Sequence, residues 1–103
     1  MDAVRKALIE YRRWVILDTI AQISTRTLNE QIVMRIVSGA GVPIGAEDLR
    51  NDLLLLEQAG CVTIERMPRP PGGDLWVATL TREGLEVRDC ARTVHGVASR
   101  RPL

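Results

Sequence analysis

The chain has 103 residues, 46% of them hydrophobic, and a formal net charge of +1 from 14 basic and 13 acidic side chains. That length suits one domain, and the apolar fraction excludes a disordered chain. The even charge balance excludes nucleic-acid binding driven by bulk positive charge, so any such contact must depend on where the cations sit.

A first helix is predicted from Ala3 to Ile23. Val4, Ala7, Leu8, Tyr11, Trp14, Val15, Leu17, Ile20 and Ala21 recur at helical spacing, and Asp2 is placed to cap the start. Arg5, Lys6, Arg12 and Arg13 fall between them and read as a solvated face; the alternative is a set of phosphate contacts. Ser24-Thr25-Arg26-Thr27 breaks the pattern, and Thr27 followed by Glu30 has the spacing of a capping box for the next helix. Leu28, Ile32, Val33, Ile36 and Val37 then form an apolar stripe that stops at Gly39. The Gly39-to-Gly45 turn contains Pro43, which cannot continue a helix, and is longer than the turn of a minimal helix-turn-helix.

The third helix is predicted over Ala46–Ala59, with Gly60 as its stop. Ala46, Leu49, Leu53 and Leu56 share one face, while Leu54 and Leu55 fall on either side of the opposite one. That end of the helix should therefore be covered on more than one side, either by the chain's own elements or by a second subunit. Val62, Ile64 and the run Leu75 to Leu80 read as two strands around a Pro68-to-Asp74 tip that is too rich in proline and glycine to pair. Thr81 caps a last helix carrying Leu85, Val87 and Cys90. From Val94 to Leu103 periodicity is lost, and an extended or flexible arm is expected. The expected fold is thus mainly α with a small β-hairpin, in the order α-α-α-β-β-α. Residues 1–93 would form the domain and residues 94–103 the tail.

The segments AEDLRNDLLLLEQAG, CVTIERM and PRPPGGDLWVATL resemble the recognition helix, the strand leaving it and the wing of a winged helix-turn-helix domain. ATLTREGLEV resembles the exit from such a wing into a final helix. YRRWVILDTIA, LRNDLLLLEQAGCVTIE and VATLTREGLEVRDCART are also similar to a group of small, mostly uncharacterised proteins of Mu-like phages and prophages. The resemblance implies a phage-derived winged-helix protein in the bacterial cytoplasm and implies no known activity.

A winged helix usually lays its third helix in the major groove while the wing meets the backbone. On that pattern the DNA contacts would be Arg50 and Asn51 in the third helix, Arg66 and Arg69 at the wing, and Arg100 and Arg101 in the tail. Arg50 suits guanine and Asn51 adenine. The third helix, however, carries Glu47, Asp48, Asp52 and Glu57 against Arg50 alone. Carboxylates in a first helical turn also favour folding by about 0.3–1 kcal/mol each, which offers Glu47 and Asp48 a purely structural role. Two functions stay open. One is a DNA-binding protein, a transcriptional regulator, that works through its wing and basic arms. The other is a protein-interaction module, a homodimer with Leu54 and Leu55 as apolar anchors in a charged rim.

No catalytic or metal-binding constellation is expected. His95 stands alone, Cys61 reads as a small core residue, and the Gly39-Ala40-Gly41 and Gly72-Gly73 runs lack the lysine of a phosphate loop. Trp76 is expected to pack the hairpin against the first helix. Cys61 and Cys90 have no CxxC spacing and are expected as reduced thiols, a single disulfide being the alternative. No apolar run is long enough for a bilayer, and no signal pattern opens the chain. A cytoplasmic protein without cofactor, membrane or small-molecule partner is the expectation.

Overall fold

The computed structural model describes residues 2–99. Four helices and a three-stranded antiparallel sheet follow in the order α1 (Asp2–Ala21), β1 (Thr27–Asn29), α2 (Glu30–Gly39), α3 (Ala46–Gln58), β2 (Val62–Pro68), β3 (Asp74–Leu80) and α4 (Arg82–Arg88). The architecture is mixed α+β, as expected, with one strand more than the sequence order contains.

That strand is β1. It adds to the edge of β3 opposite β2, giving the sheet order β1-β3-β2. Three residues are too short to show a period of two, so the segment reads as a plain break. Its pairing also reassigns Thr27, which is not the cap of α2. The Thr27 hydroxyl lies 3.0 Å from that of Thr79, the residue opposite it in the ladder. The cap is Asn29, whose side-chain oxygen accepts a hydrogen bond from the Ile32 N–H at 3.0 Å. Asp2 likewise lies inside the first turn of α1 and not at its cap.

The C-terminal half of α1 runs through the core. Trp14, Val15, Ile16, Leu17 and Ile20 are buried, and four consecutive buried residues require cover on every side of a helix. Val33 and Val37 of α2, Leu49, Leu53 and Leu56 of α3, and Ala78 and Leu80 of β3 pack around it. Residues 2–8, by contrast, are exposed, so the first two turns of α1 are only lightly covered. In β3, Trp76, Ala78 and Leu80 alternate inward, as a strand with one core face should. Pro68 proves to be the last residue of β2, paired with Asp74. It sits on an edge strand, where a missing N–H costs no ladder bond.

The turn from α3 into β2 and the start of α4 meet at one point. Gly60 ends α3 with φ +79°, the left-handed conformation glycine adopts without penalty. The Cys61 carbonyl that follows accepts the Thr81 N–H at 3.0 Å and lies 2.9 Å from the Thr81 hydroxyl. That hydroxyl also caps α4 by accepting the Gly84 N–H at 3.0 Å. Gly84 is held so close that an added Cβ would run into the Cys61 carbonyl oxygen and come within 2.8 Å of Leu80 Cδ1. The Thr-Arg-Glu-Gly sequence is thus one packing device, a cap and a contact.

Residues 94–98 do not form the free arm expected from their lack of periodicity. Val97 is 6% exposed and belongs to the core, and the Ala98 N–H donates to the Glu10 carbonyl at 3.1 Å. Irregular backbone has no period to read, yet it can still bury a side chain. The expected arginines at 100 and 101 lie outside the described residues.

Gly84→Ala should cost about 1–3 kcal/mol through overpacking, read as a lower urea midpoint. Gly39→Ala, at a helical position where an added Cβ meets nothing within 4 Å, should leave stability unchanged or raise it by up to about 1 kcal/mol.

Candidate functional site

The surface where α3 meets the β2–β3 hairpin holds two of the arginines singled out in the sequence, Arg50 and Arg66, and its centre is Trp76. The Arg50 guanidinium lies 4.4 Å from the centre of the Trp76 ring and that of Arg66 lies 4.6 Å away, both within range for cation–π attraction. Arg50 grips Glu30 with two hydrogen bonds of 2.7 Å, the fork geometry that suits a carboxylate. It also reaches the Asp74 carbonyl at 3.0 Å and the Asp74 carboxylate at 3.2 Å. Glu30 is itself buried and accepts the Trp76 N–H at 2.7 Å, while the Trp76 indole N–H donates to Asp74 at 3.2 Å. Trp76 is buried in the core that the α1 residues share, and through these polar contacts it also joins the hairpin to the start of α2 and to α3.

The hydrogen bond from Arg50 holds the Glu30 carboxyl below its ordinary range. Burial pushes the other way, and the Trp76 N–H adds to the lowering. Arg66 completes the cluster with an ion pair to Glu57 at 3.1 Å. Two arginines thus face three carboxylates, Glu30, Glu57 and Asp74. The junction has no positive charge to spare.

A second ionic cluster lies on the other side of α3. The Asp52 side chain is 1% exposed and accepts from Arg12 at 2.6 and 3.1 Å and from Arg13 at 2.9 Å. Arg13 also donates to the Gly96 carbonyl at 3.0 Å. Arg12 and Arg13 are therefore not a solvated face, nor free for phosphates; they serve a buried counter-charge. Asp52 raises Arg12 further above its ordinary value, chiefly by hydrogen bonding against the opposing effect of burial. One signal in the sequence points to this. Asp52 falls among Leu49, Leu53 and Leu56 on the helical wheel, and a carboxylate on an apolar stripe needs a cation brought to it.

What remains outside is short. Glu47, Asp48, Asn51 and Gln58 of α3 are exposed, and Leu54 and Leu55 are half-buried. Leu54 and Leu55 pack against the core, and the chain's own Gly96 closes over Leu55, since a Cβ there would meet Leu55 Cδ1 at 3.3 Å. Arg69 is exposed at the hairpin tip, and Arg92 is tied to Glu86 at 2.9 Å. The structure therefore brings Arg50 and Arg66 together over one ring but leaves Asn51 and Arg69 apart from them.

Cys61 is buried and Cys90 exposed, both as free thiols; burial pushes the Cys61 thiol up, away from reactivity. Among the described residues no group of three or more His, Cys, Asp or Glu side chains could hold a metal ion. No helix among them is long and apolar enough to cross a membrane. Neither a protein family, nor a curated protein, nor a solved structure matches this chain, so the surface must be read from its own chemistry.

Asp52→Asn would leave two guanidiniums in partial burial without a counter-charge. A loss of about 3 kcal/mol or more is expected, measured by urea unfolding. Because Glu30 titrates lower when folded, its contribution is complete above its unfolded value of about 4.3 and is lost as pH falls through the folded one. Glu30→Gln should cost about 1.5–3 kcal/mol at pH 7. Its stability should also fall less steeply than the parent's when unfolding is repeated in acid.

Proposed function

We propose that the chain is a winged-helix domain that works as a protein-interaction module, with the outer side of α3 as its contact surface. The winged-helix part is supported by the element order and by the β2–β3 hairpin lying beside α3. The functional part rests on one observation. Arg50, the single base of α3, is held by Glu30, Asp74 and Trp76, while Glu47 and Asp48 stand exposed in the first turn. A helix that reads the major groove turns its N-terminal residues toward the bases. Here that turn would bring two carboxylates against the phosphates, with no free cation on the helix to offset them. Leu54, half-buried among Glu47, Asn51 and Gln58 on the wheel, gives an apolar contact in a polar rim, the composition of a protein interface.

DNA contact through the wing is the second reading, and two observations favour it. Arg69 is exposed at the tip. Asp52 and Glu57 are neutralised within the fold, which leaves α3 two unpaired carboxylates in place of the four in its sequence. Arg100 and Arg101 would add to such a contact as an arm. Under either reading, the resemblance to Mu-like phage proteins would make this an accessory or regulatory protein of the host cytoplasm.

Titration of fluorescent mixed-sequence duplex DNA should show no binding at about 50 mM salt. Binding that fades steeply toward about 200 mM would overturn the interaction reading; Arg66→Ala with Arg69→Ala would then test the wing. Leu54→Glu should keep the fold and abolish any self-association seen by sedimentation. Unfolding instead would make Leu54 a core residue.

A further inference from the structure

A groove of about 380 Å³ runs along the first turns of α1 and ends against α3 and the 94–98 segment. Its volume lies in the range of small-molecule sites. Ile9 and Leu55 supply the apolar part of its lining, and both are half-buried. At the inner end the backbone passes close enough that a side chain on Gly96 would crowd its neighbours. A Cβ there would lie 3.1 Å from Arg13 Nη1 and 3.3 Å from Leu55 Cδ1, and φ is +92°. The wall is therefore built by tight packing of three separate parts of the chain.

The charges around this apolar strip are mostly positive. Arg5 and Lys6 line the groove, are exposed, and make no ion pair among the described residues. Arg13 lines it too, and its cluster of two arginines and Asp52 retains one positive charge. Asp2 and Glu10 are the opposing charges in the lining, and His95 completes the rim. Three cations, Arg5, Lys6 and Arg13, thus face two carboxylates around Ile9 and Leu55.

We propose that this groove binds a small apolar anion, an organic acid whose hydrocarbon or aromatic body lies on Ile9 and Leu55 while its acid group meets Arg5 and Lys6. Burial of the apolar body provides the affinity, and the two unpaired cations select the charge. Such a ligand touches α1, α3 and the 94–98 segment at once. It therefore bridges α3 and the 94–98 segment.

The test uses 1-anilinonaphthalene-8-sulfonate, an aromatic sulfonate that fluoresces on leaving water, titrated into the full chain. One saturable site is expected, with amide shifts in the NMR spectrum at His95 and Gly96. Arg5→Glu with Lys6→Glu should weaken it about tenfold, close to 1.4 kcal/mol, without changing the thermal midpoint. The equal charge change elsewhere, Arg35→Glu with Arg82→Glu, at exposed residues that do not line the groove, should leave affinity within about twofold because exposed charges are screened by salt. N-phenyl-1-naphthylamine, which has the same rings without the sulfonate, should bind more weakly. Absence of a saturable site, an equal loss in the two charge variants, or equal affinity for the uncharged probe would each overturn the proposal. So would loss of binding in Val4→Ser with Leu8→Ser, because the dye would then sit on the exposed α1 residues outside the groove.

Discussion

The Asp52 carboxylate is the point on which this small fold turns. It lies in the apolar stripe of α3, and a charge at that depth is tolerated only when its counter-charges are delivered with good geometry. Arg12 and Arg13 deliver them from α1, and the second of these continues to the Gly96 carbonyl. The helix that carries the core, the helix that would meet a partner and the C-terminal segment are thereby linked through one side chain. Hydrophobic packing alone is non-directional; these hydrogen bonds set the rotation of α3 about its own axis, and with it the residues that face outward.

On the far side of α3 the Glu30–Arg50–Trp76 cluster does the equivalent work for the hairpin. An antiparallel ribbon is a weak structure by itself, and here β3 is held from both edges and from above. β1 and β2 pair along it, while Glu30 takes the Trp76 N–H and Arg50 grips Asp74 at the strand's first residue. The hairpin therefore stands at a defined angle to α3 and does not swing as a loose flap.

These two clusters also limit what the surface can do. Of the arginines nearest α3, Arg12, Arg13, Arg50 and Arg66 all answer carboxylates of the same chain. Arg12, Arg13 and Arg50 must break buried or half-buried bonds before they can meet a phosphate, whereas the Arg66–Glu57 pair is exposed and is held more weakly. The free charges near the contact surface are Glu47 and Asp48, and this balance inclines the winged-helix reading toward a protein partner. The groove beside α1 belongs to the opposite regime, with Arg5 and Lys6 unpaired beside an apolar floor.

Much of the fold was legible in residues 2–99. The helical spacing from Val4 to Ile20, the Gly60 stop, the strands either side of the Pro-Gly tip and the Thr81 cap each depend on local sterics and hydrogen bonding, which a neighbouring stretch of sequence encodes. β1 was not legible, because three residues carry no period and the strand exists only by pairing with β3. Nor was the docking of Val97, whose burial depends on a surface made elsewhere. Above all, sequence alone could count the charges but not pair them. Arg12 and Asp52 are forty residues apart and Arg50 and Asp74 twenty-four, so whether each arginine faces solvent or a buried carboxylate was decided only when packing brought the helices and the hairpin together.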